Sequence, residues 1–348
     1  MFIFAKMNNM EYEKKRAIIL AVLGVIGVIL VFSLRPKRER WIKETGIVWA
    51  TEYHITYLSN KDLTDSINCA FRRVELSVSP FNKHSLVTAI NEGKSDSLNP
   101  ILIDLFYRSM DIHKATDGAF DPTISPLINA WGFGYEDGNL PNDKTIDSIL
   151  SFTGLDKISI NGNRIIRKDS RTSFNFSAIA KGYGCDEIAR MFERNSVNNY
   201  LIEVGGEIVA KGVNENGEIW VVSIDKPIES ADSIIHSTAI KLKTNNCGIA
   251  TSGNYRNYRV DDNGNKYSHI INPATGKPEK SDILSATVMA TDCATADAYA
   301  TAFMVTGSEQ AKQILAHSPE LAVFFILSGD SLNFKYYMNE SFHQLIAP

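Results

Sequence analysis

Asp297 and Thr301 lie four residues apart in D-C-A-T-A-D-A-Y-A-T-A-F, the stretch from Asp292 to Phe303, and helical spacing brings both onto one face. Two hard oxygen donors there suit Mg²⁺, which takes octahedral oxygen ligands and keeps substrate phosphates in its shell. A capping Asp beside a packing Thr is the competing reading. His269 stands in Y-S-H-I-I-N-P-A-T-G, from Tyr267 to Gly276, one hairpin away from the Thr-Ser-Gly of A-T-S-G-N-Y-R-N-Y, from Ala250 to Tyr258. An imidazole there can take a proton near neutral pH, or it can be structural, on the strand face that alternation shares among Tyr267, His269 and Ile271.

Lys181 belongs to N-F-S-A-I-A-K-G-Y, from Asn175 to Tyr183, just ahead of an amphipathic segment. Helix N-termini favour phosphate oxygens, although a lysine is more often a solvated surface group. Gly205-Gly206-Glu207, after the apolar run from Tyr200 to Val204, suggests a second close backbone approach. The remaining cluster is T-D-G-A-F-D-P-T-I-S-P-L-I-N-A-W-G-F-G, from Thr116 to Gly134. Its turn can approach a ligand with backbone groups, and Trp131 and Phe133 can hold a flat ring or form a core pair. No G-x-x-x-x-G-K-[ST] occurs, so phosphate binding of the Walker type is excluded.

The elements that must position these groups follow from period and punctuation. A strand from Ser285 to Ala290 precedes a helix that carries Asp297 and Thr301. A second helix is expected with Asp186 and Glu187 in its first turn, with Ile188, Met191 and Phe192 at helical spacing and with Arg190 and Arg194 at its far end. Asn161-Gly162, Asn216-Gly217 and Asn263-Gly264 each lie between runs rich in Ile, Val or Tyr, a strong hairpin signal. The expectation is an α+β fold with largely antiparallel sheets.

Composition bounds the rest. With 348 residues, 44% of them apolar, the chain can fill one large domain or two modest ones. A net charge of −4 leaves no basic excess for a phosphate backbone, so no nucleic-acid partner is expected. Cys69, Cys185, Cys247 and Cys293 are far apart with no C-x-x-C pair, which argues against zinc and against a disulfide scaffold; they read as small buried residues. From Ala17 to Leu34 the chain has eighteen uncharged, almost wholly apolar residues after Lys14, Lys15 and Arg16. They run into Arg35-Pro36-Lys37-Arg38 rather than a small-x-small cleavage site. The expected organisation is a tail and uncleaved membrane anchor over 1–40 and one catalytic domain over 41–348.

In order and spacing the clusters resemble the FAD:protein FMN transferases, the ApbE family. DGAFDPT with WGFG, then AIAKGY, VGGE, ATSGNYR, SHIINP-x-TG and TADA-x-AT all occur, over roughly Ile47 to Gly307. The resemblance implies a two-lobed α+β protein with a flavin cleft. It implies Mg²⁺-assisted cleavage of the FAD pyrophosphate, with FMN passing to a Thr or Ser of an acceptor protein and AMP released. Ala119, Phe120, Asp121, Lys181 and Ile271 match flavin-nucleotide contacts. Asp297 and Thr301 match metal ligands, with Ala178 offering its carbonyl, and His269 matches the group that deprotonates the acceptor. Trp49, Phe81 and Asn175 occupy cofactor-binding positions with departures: Trp49-Ala50-Thr51 for Met-Gly-Thr, Phe81 for Tyr and Asn175 for Asp. Asn272 likewise replaces a common Asp, and Ala300 stands where some members carry an acid, which leaves a single metal site. The implied acceptor is a subunit of a membrane electron-transfer complex, such as a sodium-pumping NADH:quinone oxidoreductase, bearing a Ser/Thr-Gly-Ala-Thr-like motif. The implied location is a bacterial inner membrane with the catalytic domain facing the periplasm. FAD hydrolysis to FMN and AMP, or a flavin carrier without catalysis, are the alternatives.

Overall fold

The computed structural model describes residues 14–26, 38–135, 140–226, 238–253, 258–260, 266–329 and 334–347. Two compact units divide the chain, Met1–Arg40 with Ser59–Asp62, and Trp41–Leu58 with Leu63–Pro348. In the first, α1 covers 14–26, and Ile18, Ile19, Leu20, Val22, Leu23, Val25 and Ile26 are all exposed on it. The expected anchor over 17–34 runs past residue 26 and so lies partly outside the described residues. Among the described residues no helix is long and apolar enough to cross a membrane.

The second unit is built on an eight-stranded sheet. Its order is β1 (Arg40–Val48), β2 (Thr51–Ser59), β5 (Tyr200–Val204), β6 (Glu207–Lys211), β9 (Cys247–Gly253), β12 (Ile283–Ala290), β13 (Ala322–Leu327) and β14 (Lys335–Met338). From β2 to β14 every neighbouring pair is antiparallel. Three antiparallel ribbons branch from it: β3 (Ile158–Asn161) with β4 (Arg164–Arg167), β7 (Trp220–Asp225) with β8 (Thr238–Thr244), and β10 (Tyr258–Val260) with β11 (Lys266–Ser268). The helices are α2 (Thr64–Val78), α3 (Leu86–Asn91), α4 (Pro100–Ala115), α5 (Ser125–Ala130), α6 (Asp143–Leu150), α7 (Ser177–Arg194), α8 (Cys293–Leu315) and α9 (Glu340–His343). The α+β, antiparallel expectation holds.

Burial explains the layering. β12 is buried at all but one position, as a central strand covered on both faces must be. Above it lies α8, whose Ala294, Ala296, Ala298, Ala300 and Ala302 are fully buried; side chains this small let the helix sit close to the strands. Asp292 caps α8 by accepting from Thr295 N at 2.9 Å, and Gly307, at φ 71°, breaks its run. Phe106 on α4 meets Phe174 and Phe176 edge-on at 4.9 and 5.2 Å, sealing the segment that leads into α7.

Several local expectations shift. α7 begins at Ser177, so Asp186 and Glu187 lie in mid-helix and buried rather than in the first turn. The reason is tertiary: Gly182 and Gly184, poor helix formers by themselves, each admit a neighbour. A Cβ on Gly182 would stand 2.3 Å from the Cys293 carbonyl oxygen, and one on Gly184 2.3 Å from the Trp49 ring. Gly205-Gly206, with φ of 62° and 100°, is the two-residue turn between β5 and β6. Asn161-Gly162 does close a hairpin, although its two loop residues are Gly162 and Asn163. Asn216-Gly217 turns the chain from β6 into β7 with a single bridge, Val213 to Ile219, and Asn263-Gly264 lies outside the described residues. Of the cysteines only Cys185 and Cys293 are buried; Cys69 is exposed and Cys247 half-buried.

Candidate active site

A cleft of about 980 Å³ opens between the sheet and the segments around α5 and α7. Into it come Ala119, Phe120 and Asp121 from the connection between α4 and α5, Asn175 and Ala178 at the start of α7, and Lys181 one turn further on. The β5–β6 turn brings Gly205, Gly206 and Glu207; β9 brings Thr251 and Ser252; the chain after β11 brings His269 and Ile271; α8 brings Asp297 and Thr301. Phe81, 65% exposed, stands at the rim, edge-on to Tyr135 at 6.4 Å. Residues spread over 220 positions of sequence thus share one concave surface, in the size range of pockets that hold extended small molecules.

The floor is set by the crossing of α7 and α8. Asp297 Oδ2 accepts from Gly182 N at 3.0 Å. In a regular helix that same N–H is directed at the carbonyl of Ala178, so the Asp297 carboxylate and the Ala178 carbonyl are adjacent. Thr301 Oγ1 lies 3.2 Å from Ser252 Oγ on β9. Carboxylate, carbonyl and hydroxyl oxygens are the donor set of a hard divalent cation.

Charge points the same way. Lys181 forms an ion pair with Glu207 and also feels Asp297. Burial alone would push its ammonium down, but the two carboxylates hold its pKa above the ordinary lysine value. Burial, against the pull of Lys181, raises Glu207 to about 8 and raises Asp297 as well. With all three ionised, two carboxylates face one ammonium, an excess of negative charge in a buried site that a cation would relieve. Ala300, by contrast, is fully buried in the core.

The remaining side chains play supporting parts. Asp121 is spent internally: it accepts from Thr123 N and Thr123 Oγ1, both at 2.7 Å, and from Leu155 N at 3.3 Å, with His113 Nδ1 3.7 Å away. Burial raises its pKa against those bonds. It shapes the turn that presents Ala119 and Phe120. Asn175 Oδ1 accepts from Ser177 N at 2.9 Å, starting α7. Asn272 Oδ1 accepts from Ala274 N at 2.8 Å, while its amide donates to Glu279, forming the turn after His269. Trp131 Nε1 donates to Gly276 O at 2.8 Å and so ties the first cluster to this turn; Phe133 faces His269 edge-on at 6.3 Å.

Trp49 is the site candidate that does not line the cleft. At the tip of the β1–β2 hairpin, with φ 49°, it turns its ring against Gly184 of α7 and edge-on to Phe71 at 5.3 Å. A large ring on a tight turn packs into the nearest core rather than reaching across the sheet. In the sequence Glu207 stands out only as the end of the Gly205-Gly206-Glu207 motif, which does not assign its part as a buried partner of Lys181. The alternation Tyr200, Ile202, Val204 continues across the turn into Glu207 and Val209, so an acid at an inward register is the signal that marks it.

The fold is that of solved flavin transferase structures. The structure titled flavin transferase ApbE from Vibrio cholerae matches with a TM-score of 0.78 and 30% identity over 88% of this chain and 99% of its own. The ApbE protein of Thermotoga maritima matches with a TM-score of 0.77 and 25% identity, over 89% and 100%. In sequence, the chain is 32% identical to the FAD:protein FMN transferase of Vibrio cholerae over 93% of this chain and 98% of that one. It is 33% identical to that of Escherichia coli K12, over 88% of each. The ApbE family model matches residues 49–325, and the chain belongs to the ApbE family. It is a transferase.

Proposed function

We propose that this enzyme transfers FMN from FAD to a Thr or Ser hydroxyl of an acceptor protein, with Mg²⁺ bound by Asp297, Thr301 and the Ala178 carbonyl, and releases AMP. The carrying observation is that the buried Asp297–Lys181–Glu207 group, the Thr301 hydroxyl and His269 share one cleft. Phosphoryl transfer asks chiefly for charge neutralisation, alignment and a base. Bound Mg²⁺ would supply charge to the pyrophosphate oxygens. Lys181 would neutralise a further phosphate oxygen, and His269 would take the proton as the acceptor oxygen bonds to the FMN phosphorus and the bond to AMP breaks. Phe81, Ala119, Phe120 and Ile271 would hold the flavin nucleotide.

The test is to incubate the enzyme with FAD, Mg²⁺ and a candidate acceptor bearing a Ser/Thr-Gly-Ala-Thr-like motif, then to measure acceptor-bound flavin and AMP. Equal amounts of both support transfer. AMP with free FMN alone would identify a pyrophosphatase, and flavin binding without AMP a carrier. Asp297→Ala should stay folded yet lose turnover, and full activity of that variant in excess chelator sinks the metal assignment. The acceptor we propose is a subunit of a membrane electron-transfer complex. The apolar run over 17–34, with exposed Ile, Leu and Val on α1, supports a membrane anchor; the periplasmic side for the catalytic domain follows from the family resemblance alone, against the basic flank of Arg35, Lys37, Arg38, Arg40 and Lys43. A reporter fused after the domain that is active only in the cytoplasm would overturn that orientation.

A further inference from the structure

α8 carries two of the three proposed metal ligands, and the way its first turn is held is unusual. A helix N-terminus leaves its first N–H groups without intrahelical partners, and a capping side chain ordinarily satisfies one of them. Here Asp292 accepts from Thr295 N at 2.9 Å, while the two preceding groups, Cys293 N and Ala294 N, donate at 2.9 Å each to the two carboxylate oxygens of Asp186. Asp186 belongs to α7, is 5% exposed and does not line the cleft. The link is reciprocal, since Asp297 on α8 accepts from Gly182 N on α7. The slot is also tight on a third side, where a Cβ on Gly248 of β9 would stand 2.2 Å from Cys293 N.

We infer that Asp186 is a positioning residue of the metal site: by capping α8 from α7 it fixes Asp297 and Thr301 against the Ala178 carbonyl. The inference rests on the proposed Mg²⁺ site. Two carboxylate-to-amide contacts running in opposite directions leave the two helices little freedom to slide, so the distance between ligands on α7 and ligands on α8 is set before any ion arrives. Asp292 lies close enough to raise Asp186 further after burial has done so, and Arg190 and the amide donors oppose them. Arg108, paired with Asp292 at 3.0 Å, keeps the two acids from facing each other uncompensated. A cap retained in a site where it is costly to ionise fits a task in alignment rather than in stability alone.

The experiment is a calorimetric Mg²⁺ titration of the full chain without FAD, alongside melting midpoints, for wild type, Asp186→Asn, Asp186→Glu and Asn99→Ala. The last removes the cap of α4 at a residue that does not line the cleft. Asp186→Asn cannot accept both amides, and Asp186→Glu keeps the charge but changes its reach. Both should weaken Mg²⁺ binding on the order of tenfold or more, while Asn99→Ala lowers the melting midpoint without changing affinity. Unchanged affinity in Asp186→Asn overturns the inference. So does a weakened Asp186→Asn beside a wild-type-like Asp186→Glu, which reduces the effect to charge. Should Asp186→Asn not fold, Asp186→Glu decides alone. Absence of saturable binding by wild type overturns the metal reading itself and this inference with it.

Discussion

One ammonium and two buried carboxylates at Lys181, Glu207 and Asp297 make the site a proton store, which bears on the proposed Mg²⁺ site. Burial pushes Glu207 up to about 8, so if Mg²⁺ binds here as proposed, its binding should compete with protonation of this carboxylate. The sign follows: below about 8 the protonated carboxylate competes with the metal, so Mg²⁺ affinity should rise with pH and level off above it. Calorimetry in buffers of different ionisation enthalpy should find proton release on Mg²⁺ binding at pH 7 that shrinks as the pH is raised above the Glu207 value. An affinity flat from pH 6 to 9 would refute this. At His269 the expectation concerns rate alone. His269→Ala should bind FAD nearly as wild type and slow transfer on the order of a hundredfold or more. Weaker FAD binding with full rate at saturation would make it a binding residue.

At the scale of elements, the close crossing of α7 and α8 gives a substitution whose sign can be decided by magnitude. Gly182→Ala gains roughly 0.5–1 kcal/mol of helix preference. Against this stands a Cβ only 2.3 Å from the backbone carbonyl of Cys293, an overpacking worth about 1–3 kcal/mol. The variant should unfold at lower urea concentration than wild type, and a more stable variant would show that the helices can part. Gly184→Ala meets a side-chain ring, that of Trp49, and should cost less. The same crossing explains what could be read in advance. Asp297 and Thr301 stand one helical turn apart after the strand that ends at Ala290, and the apolar run from Tyr200 to Val204 foretells β5. The start of α7 was hidden because its glycines answer to Cys293 and Trp49, residues far away in sequence. Asp121 was recognisable as a member of a cluster, but its use inside the turn depends on Thr123 and Leu155, which motif spacing does not reveal. Glu207 announced itself only as an acid in an apolar register, a signal that needs the hairpin partner to interpret.

For the molecule as a whole, the order of the central sheet separates nearness in space from nearness in sequence. β5 pairs with β6 across a two-residue turn, but also with β2, where Tyr53 faces Val204, roughly 150 residues along the chain. Two of the cleft's walls, β6 and β9, likewise join only after β7 and β8 have been set aside. Pairings of such long sequence separation must bear loop-closure entropy before they gain contacts, so they form late. Helices such as α7 and α8, made of local contacts, need not wait. Refolding from urea should therefore recover helical circular dichroism in an early phase and FAD binding in a later, slower one, with the interval populated by chains that are collapsed but unable to hold the nucleotide. Identical rate constants for the two signals would contradict this order. If the phases do separate, nascent enzyme in the cell passes through a period in which its open strand edges are exposed and no substrate can bind, so flavin supply protects only chains in which β6 and β9 have already joined.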